Sequence, residues 1–175
     1  GAADPAYFSA PVTEIALASG AAIAHVRLQR EAGNGFQLGT CAVSQASGSR
    51  YGTVNVVLGA RLSRLDLDVT HAGPACETAL DGLTLIGGRQ LADMHSLVDH
   101  AHPEGRLRQL QKCIVSGAAH AVFNGKILVR QGAQRTDAVQ SCRGLVLSPR
   151  AHVDAKPQLE IFADDVKCGH GAAIG

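Results

Sequence analysis

Aromatic residues are scarce in this sequence: they make up 3% of its 175 residues, and tryptophan is absent. The apolar fraction is nonetheless 46%, which is typical of a folded protein and excludes a disordered chain. A chain of this length can bury the core of one domain, so we assign residues 1–175 to a single domain. That core must consist mainly of small and aliphatic side chains, which suits a narrow, repetitive interior.

Charge imbalance and long apolar runs are lacking as well. The formal net charge is +1, from 16 basic and 15 acidic residues, and no basic block indicates a nucleic-acid or membrane partner. The most apolar stretch, residues 15–26, is interrupted by polar residues and is too short to span a bilayer. Residues 1–12 do not resemble a signal peptide, so we expect a cytosol-like compartment.

The cysteines are odd in number and scattered. There are five: Cys41, Cys76, Cys113, Cys142 and Cys168. A disulfide framework would need an even set in an exported chain. The sequence therefore predicts reduced thiols.

Alternation of apolar and polar residues is the clearest pattern that the sequence does contain. Because successive side chains of a strand point to opposite faces, alternating stretches predict half-buried strands. These stretches are residues 54–56, 65–70, 83–85, 151–156 and 158–163. One other stretch fits a helix, because Leu107, Leu110 and Ile114 are three and four residues apart.

Corners of small residues recur along the chain. Three of them, at Gly132-Ala133, Arg150-Ala151 and Gly171-Ala172, lie 18 and 21 residues apart. A loose repeat of about 20 residues, each with short strands and turns, predicts a β-solenoid. A β-sandwich also uses short alternating strands and is the alternative, but the recurring corners favour the solenoid.

The segment Cys168-Gly169-His170 places a thiol and an imidazole two residues apart. In a strand both side chains would share a face, and both are good ligands for iron or zinc. A closed metal site usually has four ligands, however, and this segment offers two. From the residues alone, two structural side chains are therefore the favoured reading.

A second histidine group follows Asp93 and His95. In a strand His100 and His102 would share one face, which could form a metal patch. No HExxH spacing or closing cysteine pair accompanies them, so a polar strand edge with Asp–His hydrogen bonds is the favoured reading.

Cys142 precedes the apolar run Leu145–Leu147. Free cysteines are commonly small buried hydrophobes, which is the default for this residue. If both side chains were exposed, the neighbouring Arg143 would lower the pKa of the thiol.

Several segments of the second half resemble a known family when they are taken in order. They are Asp93–His100, Val122–Ile127, Ala133–Ala138, Lys156–Ile161 and Ala163–Ala172. Together they resemble the SufD side of the SufB/SufD family, the scaffold subunits of the Suf iron–sulfur cluster assembly machinery.

The resemblance implies an all-β fold, a right-handed parallel β-helix (β-solenoid), and a scaffold role that is not enzymatic. SufD-like proteins of the family pair with a SufB-like subunit, and the nascent cluster forms at the interface of the two. The matching positions here are His170 and, beside it, Cys168. The resemblance therefore reverses the preference given above: both become ligands of a transient iron–sulfur cluster shared with a partner chain, and none is expected tightly bound to this chain alone.

The chain also departs from the family pattern. It lacks the terminal helical regions, so binding of the SufC-like ATPase is not expected for this stretch, and an open solenoid end favours self-association. Cys142 matches a position where SufB-like members carry a cysteine important for assembly, whereas SufD-like members usually do not. A bacterial cytoplasm and a plastid stroma both fit the resemblance.

Two other functions stay open at this point. One is a β-helix acyltransferase or lyase that uses His100 or His170 as its base. The other is a structural interaction module in which Cys168 and His170 are both buried.

Overall fold

The structure is a computed structural model and describes residues 5–175. This range consists of strands and connecting turns without a helix, so it contains no helix that could cross a membrane. Residues 1–4, the start of the predicted domain, lie outside the described residues.

Thirteen strands follow one another along the described chain, and most of the later ones have ten residues. They are β1 (Tyr7–Ser9), β2 (Val12–Leu17), β3 (Ala22–Gln29), β4 (Gly35–Gln45), β5 (Arg50–Val57), β6 (Leu62–His71), β7 (Glu77–Ile86), β8 (Leu91–His100), β9 (Arg106–Val115), β10 (His120–Val129), β11 (Asp137–Val146), β12 (His152–Ile161) and β13 (Lys167–Ile174).

The strands form two sheets in which every pairing is parallel. From β3 onward they alternate between the sheets: even-numbered strands lie in a seven-stranded sheet and odd-numbered ones in a six-stranded sheet. Each coil therefore contributes one strand to each sheet, and the coils stack in register. The predicted all-β parallel β-helix is confirmed, and the β-sandwich, whose sheets are antiparallel, is wrong.

The length of one coil differs from the predicted repeat. Leu62 lies beside Leu91, and Leu91 beside His120. Arg64 and Asp93, which pair across the same two strands, are 29 residues apart. The repeat of about 20 residues is wrong, because each coil has two corners and the sequence does not distinguish them. Gly132 and Arg150 lie in turns at opposite ends of β11, and Gly171 lies inside β13.

Two predicted elements also differ from the structure. The stretch with Leu107, Leu110 and Ile114 is strand β9, in which Leu107 faces the core while the other two face outward. The two strands predicted at 151–156 and 158–163 are one strand, β12, with Pro157 inside it. Within the described chain β12 pairs only with β10, so the missing N–H of Pro157 is tolerated at an edge.

The core is a set of rows that run from coil to coil between the sheets. One row consists of Leu65, Met94, Phe123 and Ala155, and another of Val69, Val98, Ile127 and Leu159. Phe123 and Tyr51 are the large aromatic side chains fully buried in the described core. Apart from these two rings, small and aliphatic side chains make up most of the hydrophobic core.

The corners between the coils are held by stacked main-chain hydrogen bonds. The backbone N–H of Gly48, Ala75 and Glu104 each donates to a carbonyl of the next coil, over 2.9, 3.0 and 2.9 Å. All three residues have positive φ, although two of them are not glycine. The bonds that stack the coils therefore hold even ordinary residues in the left-handed region.

A corner glycine provides the first test of this stacking. A side-chain carbon at Gly59 would overlap the main chain of Arg30 and Glu31 on the neighbouring coil. Because the main chain has little freedom to move aside, we expect Gly59→Ala to lower the free energy of unfolding by about 1–3 kcal/mol. Urea unfolding followed by circular dichroism measures it.

Gly132→Ala is the matched control, because Gly132 also lies in a turn but has no atom within 4 Å of the added carbon. We expect its effect to stay within about 0.5 kcal/mol. Equal effects of the two substitutions would show that the close approach at Gly59 does not constrain the stacking.

Candidate functional site

Cys168 and His170 lie on β13, the last strand of the six-stranded sheet in the described chain. Their register neighbours on β11 are Ala138 and Gln140, which are both fully buried. Cys168 and His170 therefore share the core-facing side of the final coil, as the spacing of two predicts. Within the described residues no further strand covers them.

The two side chains differ in exposure. His170 is exposed, whereas Cys168 is half-buried and packs against the edge of the core. Burial raises the pKa of the Cys168 thiol. The thiol is therefore protonated at neutral pH and loses its proton when it binds a metal.

The donor set at this end of the solenoid is incomplete for a metal. Within residues 5–175 no group of three or more histidine, cysteine and carboxylate side chains is arranged to hold a metal ion. A thiolate and an imidazole suit iron, but a four-coordinate centre would need two more ligands. The pair can serve as half of a site whose other half lies outside these residues.

A row of buried polar side chains leads to this coil. We call Ser96, Gln109 and Gln140 the glutamine row. The amide of Gln140 donates to Oε1 of Gln109 over 2.8 Å, and the amide of Gln109 donates to Oγ of Ser96 over 2.8 Å. The sequence analysis missed the row; the only signal is a glutamine at core-facing positions of β9 and β11, 31 residues apart.

Cys142 lies inside the solenoid and has no exposed surface. Its hydrogen bond with Cys113, together with burial, raises the pKa of the Cys142 thiol. Arg143 points outward on the same strand and does not share this environment. Cys142 thus has the surroundings of an unreactive thiol, and all five cysteines are unpaired.

Alkylation of the native chain tests this difference between the thiols. Cys168 is half-buried, whereas Cys142, Cys113 and the two other cysteines are no more than 3% exposed. Because the thiolate must reach the reagent, we expect iodoacetamide to label Cys168 first and Cys142 only after unfolding. Mass spectrometry of peptides from the native and denatured chain measures the order, and Cys168→Ser is the control. Labelling of Cys142 as early as Cys168 would contradict it.

The structure separates the histidines predicted to share a face. His100 ends β8 and is fully buried, whereas His102 lies in the following turn and is exposed. The prediction that His100 and His102 share one face of a strand is therefore wrong, because the strand ends between them. Earlier on β8, Nε2 of His95 lies 3.0 Å from Oδ1 of Asp93, but this oxygen has no hydrogen-bond partner in the described chain, so the predicted Asp–His hydrogen bond is not formed there.

His100 instead pairs with His71, its register neighbour on β6. The two rings lie edge to face with their centroids 4.4 Å apart, and both are fully buried. Nε2 of His71 bonds Oγ1 of Thr78 over 2.8 Å, while the other three ring nitrogens have no partner. His100 cannot reach a substrate in the folded chain. The sequence analysis missed His71 because one coil separates it from His100.

The buried histidine pair predicts a pH-dependent stability. Burial, together with the neighbouring His100, lowers the pKa of His71 to about 3, and burial lowers that of His100 to about 4. Their ordinary value is 6.5. As the pH falls below about 6.5, the unfolded chain binds protons that the folded chain does not, so stability is lost.

The expected loss is about 2 kcal/mol per histidine between about pH 7 and about pH 5. We expect His100→Leu to make the fall in the free energy of unfolding smaller by about this amount, as measured by urea unfolding at both pH values. His102→Leu, which changes an exposed histidine, should leave the fall unchanged. If His100→Leu keeps the full fall, the pair is not its cause.

The chain is similar in sequence to proteins of iron–sulfur cluster assembly. The family model for the SufBD core domain, SUF system FeS cluster assembly, matches residues 2–175. A SufBD-family iron–sulfur cluster assembly protein of Synechocystis sp. is 48% identical over 168 residues, which is 96% of this chain and 37% of that protein.

Two further relatives come from a plant and a bacterium. The chloroplastic protein ABCI7 of Arabidopsis thaliana is 41% identical over 96% of this chain and 36% of its own length. The iron–sulfur cluster assembly protein SufD of Escherichia coli is 38% identical over 68% of this chain and 28% of its own length. The chain thus spans about a third of the length of the curated relatives it matches.

Proposed function

Since the chain belongs to the SufB/SufD family of iron–sulfur cluster assembly proteins, we propose that it presents His170 and Cys168 to a nascent cluster. Its role is that of a scaffold and not of an enzyme. The cluster is the cargo of the assembly, held transiently, and none is bound tightly by this chain alone.

One observation carries the proposal: two ligand-type side chains share one face of an exposed edge strand. A neutral imidazole at His170 ligates iron directly, and Cys168 does so once its thiol is deprotonated. No third ligand lies beside them within residues 5–175. We propose that the remaining ligands, thiolates above all, come from a partner chain.

The partner that we propose is a SufB-like subunit, which brings its own ligands to the same cluster. Within the described chain β13 pairs on one side only, with β11, so its other edge offers unpaired main-chain groups beside Cys168 and His170. A second copy of this chain competes for the same edge when the partner is absent. We assign the contact with a SufC-like ATPase to regions outside this third of the relatives' length.

The relatives support a proposal for the compartment. ABCI7 of Arabidopsis thaliana is named as chloroplastic, and the relatives from Synechocystis sp. and Escherichia coli are bacterial. We propose that the assembly works in a bacterial cytoplasm or a plastid stroma, where thiols stay reduced. The unpaired state of all five cysteines is consistent with such a compartment.

Anaerobic co-purification with a SufB-like partner tests the proposal. The full-length protein is compared as wild type and as His170→Ala, with iron, sulfide and visible absorption measured per complex. We expect the His170→Ala protein to assemble with the partner. Its iron content should fall by at least about 10-fold, because the site loses a ligand.

His102→Ala is the matched control, since it removes another exposed histidine of this chain. It should carry as much iron as the wild type. If His170→Ala also carries the wild-type amounts of iron and sulfide, His170 does not ligate the cluster and the proposal is wrong.

A further inference from the structure

The glutamine row has a direction. Because Gln109 donates its amide to Ser96 and Gln140 donates its amide to Gln109, both NH2 groups point back along the row. The carbonyl oxygen of Gln140 takes no part in these bonds. The row therefore presents a hydrogen-bond acceptor, and not a donor, to whatever lies beyond it.

That acceptor is buried and has no partner. Gln140 is 1% exposed, and its Oε1 bonds no atom of the described chain. A buried acceptor without a donor is costly, and most such groups in folded proteins are satisfied. Gly125 leaves space for the amide of Gln140, because a side-chain carbon at Gly125 would overlap that amide. The fold therefore leaves room for this amide, even though its oxygen has no partner in the described chain.

His170 is the residue of the next coil that lies beside Gln140 and could donate to its oxygen. Gln109 lies beside Gln140 in the register of β9 and β11, and Gln140 lies beside His170 in the register of β11 and β13. His170 therefore continues the glutamine row on the next coil, on the same core-facing side. A neutral imidazole carries one N–H donor and one lone pair, so it can donate to Gln140 and keep its other nitrogen free.

We propose that Gln140 is the positioning residue of His170: the exposed imidazole, which is not bonded to Gln140 in the structure, turns toward the core so that Oε1 accepts its N–H, and this contact fixes one tautomer. The second ring nitrogen then keeps its lone pair and faces away from the row, where iron would bind. Metal-ligating histidines generally donate their other N–H to an oxygen acceptor in this way. The inference rests on the proposed function, in which His170 is a ligand.

The neighbouring row separates this role from simple packing. Gln111 is also a buried glutamine of β9, and its amide bonds Oγ1 of Thr84 over 3.1 Å. On the later coils its register neighbours are Cys142 and then Ala172, so it does not lead to a histidine. Gln111→Leu removes a buried amide of the same sheet without touching the glutamine row, which makes it the matched control.

Nuclear magnetic resonance of the 15N-labelled chain tests the proposal without a cluster. Above the ordinary titration range of imidazole, the two ring 15N shifts report the tautomer ratio of each histidine. We expect His170 to hold a single tautomer in the wild type and in Gln111→Leu. In Gln140→Leu its ratio should move to that of the exposed His102 in the same spectrum. An unchanged ratio in Gln140→Leu overturns the proposal.

A second variant guards against misfolding of the first. Gln140→Asn keeps a buried amide but shortens it by one methylene, so it cannot reach Gln109 and His170 together. It should give the same mixed tautomers as Gln140→Leu. A single wild-type tautomer in the folded Asn variant overturns the proposal as surely as in the Leu variant.

Iron content then separates this inference from the proposed function. In the complex with a SufB-like partner, Gln140→Leu should lower iron affinity by about 10- to 100-fold, as removal of such an acceptor typically does. If His170→Ala leaves iron unchanged while Gln140→Leu still alters the tautomer, the proposed function fails and the positioning contact stands. If His170→Ala removes iron but Gln140→Leu alters neither tautomer nor affinity, the positioning role fails alone.

Discussion

In-register parallel pairing between coils is the constraint on which the rest of this molecule depends. The main-chain hydrogen bonds commit each residue to lie beside the residue one coil earlier, as Leu62, Leu91 and His120 show. A side chain that faces the interior then has its closest neighbours in the coils above and below, within its own row. An apolar row is satisfied by any aliphatic side chain of suitable size, whereas a polar row must find a donor or an acceptor in the next coil. The stacking therefore converts a local property, the type of residue at one position, into a requirement on a residue about one coil away.

Two polar rows show the consequences. The row that contains Gln45, His71 and His100 continues with Val129, which offers neither donor nor acceptor to the ring of His100. The unpaired ring nitrogens of His100 therefore lower the stability of the folded chain. In acid the loss of stability is larger, because burial opposes protonation of the rings. The glutamine row also carries one unpaired atom, Oε1 of Gln140, but the next coil brings His170, which can donate. The same kind of defect is thus a loss of stability within the first row, whereas at the end of the second it is, in the role proposed for Gln140, a means of orienting a ligand.

The sequence predicted those features that depend on near neighbours. Alternation in residues 65–70 is enough to identify a strand, and a spacing of two is enough to place Cys168 and His170 on one face. The features that depend on register escaped it. The corners at Gly132 and Arg150 look alike in the sequence, although they lie at opposite ends of β11. Their separation is therefore shorter than the number of residues in one coil. The apolar residues of β9 fit a helix because Leu107 faces inward while Leu110 and Ile114 face outward, which their spacing alone does not reveal. A lone Gln140 resembles any polar residue of a strand until the coil length places it beneath a histidine. The family resemblance supplied a role for His170, but a resemblance carries no hydrogen-bond partner with it.

The last described coil is also a physically reasonable place to divide a metal site between two chains. Inside the stack a thiolate would lose its hydration, and the hydrogen bond with Cys113 and then burial raise the pKa of the Cys142 thiol. On this coil Cys168 is only half-buried and His170 is exposed, so iron can reach both side chains. Burial raises the pKa of Cys168, which keeps its thiol neutral and avoids repulsion with the thiolates that a partner would bring. A neutral imidazole held in one tautomer adds a ligand without adding negative charge. In the proposed function, the scaffold would therefore contribute orientation, and the charge that balances iron would come from the partner.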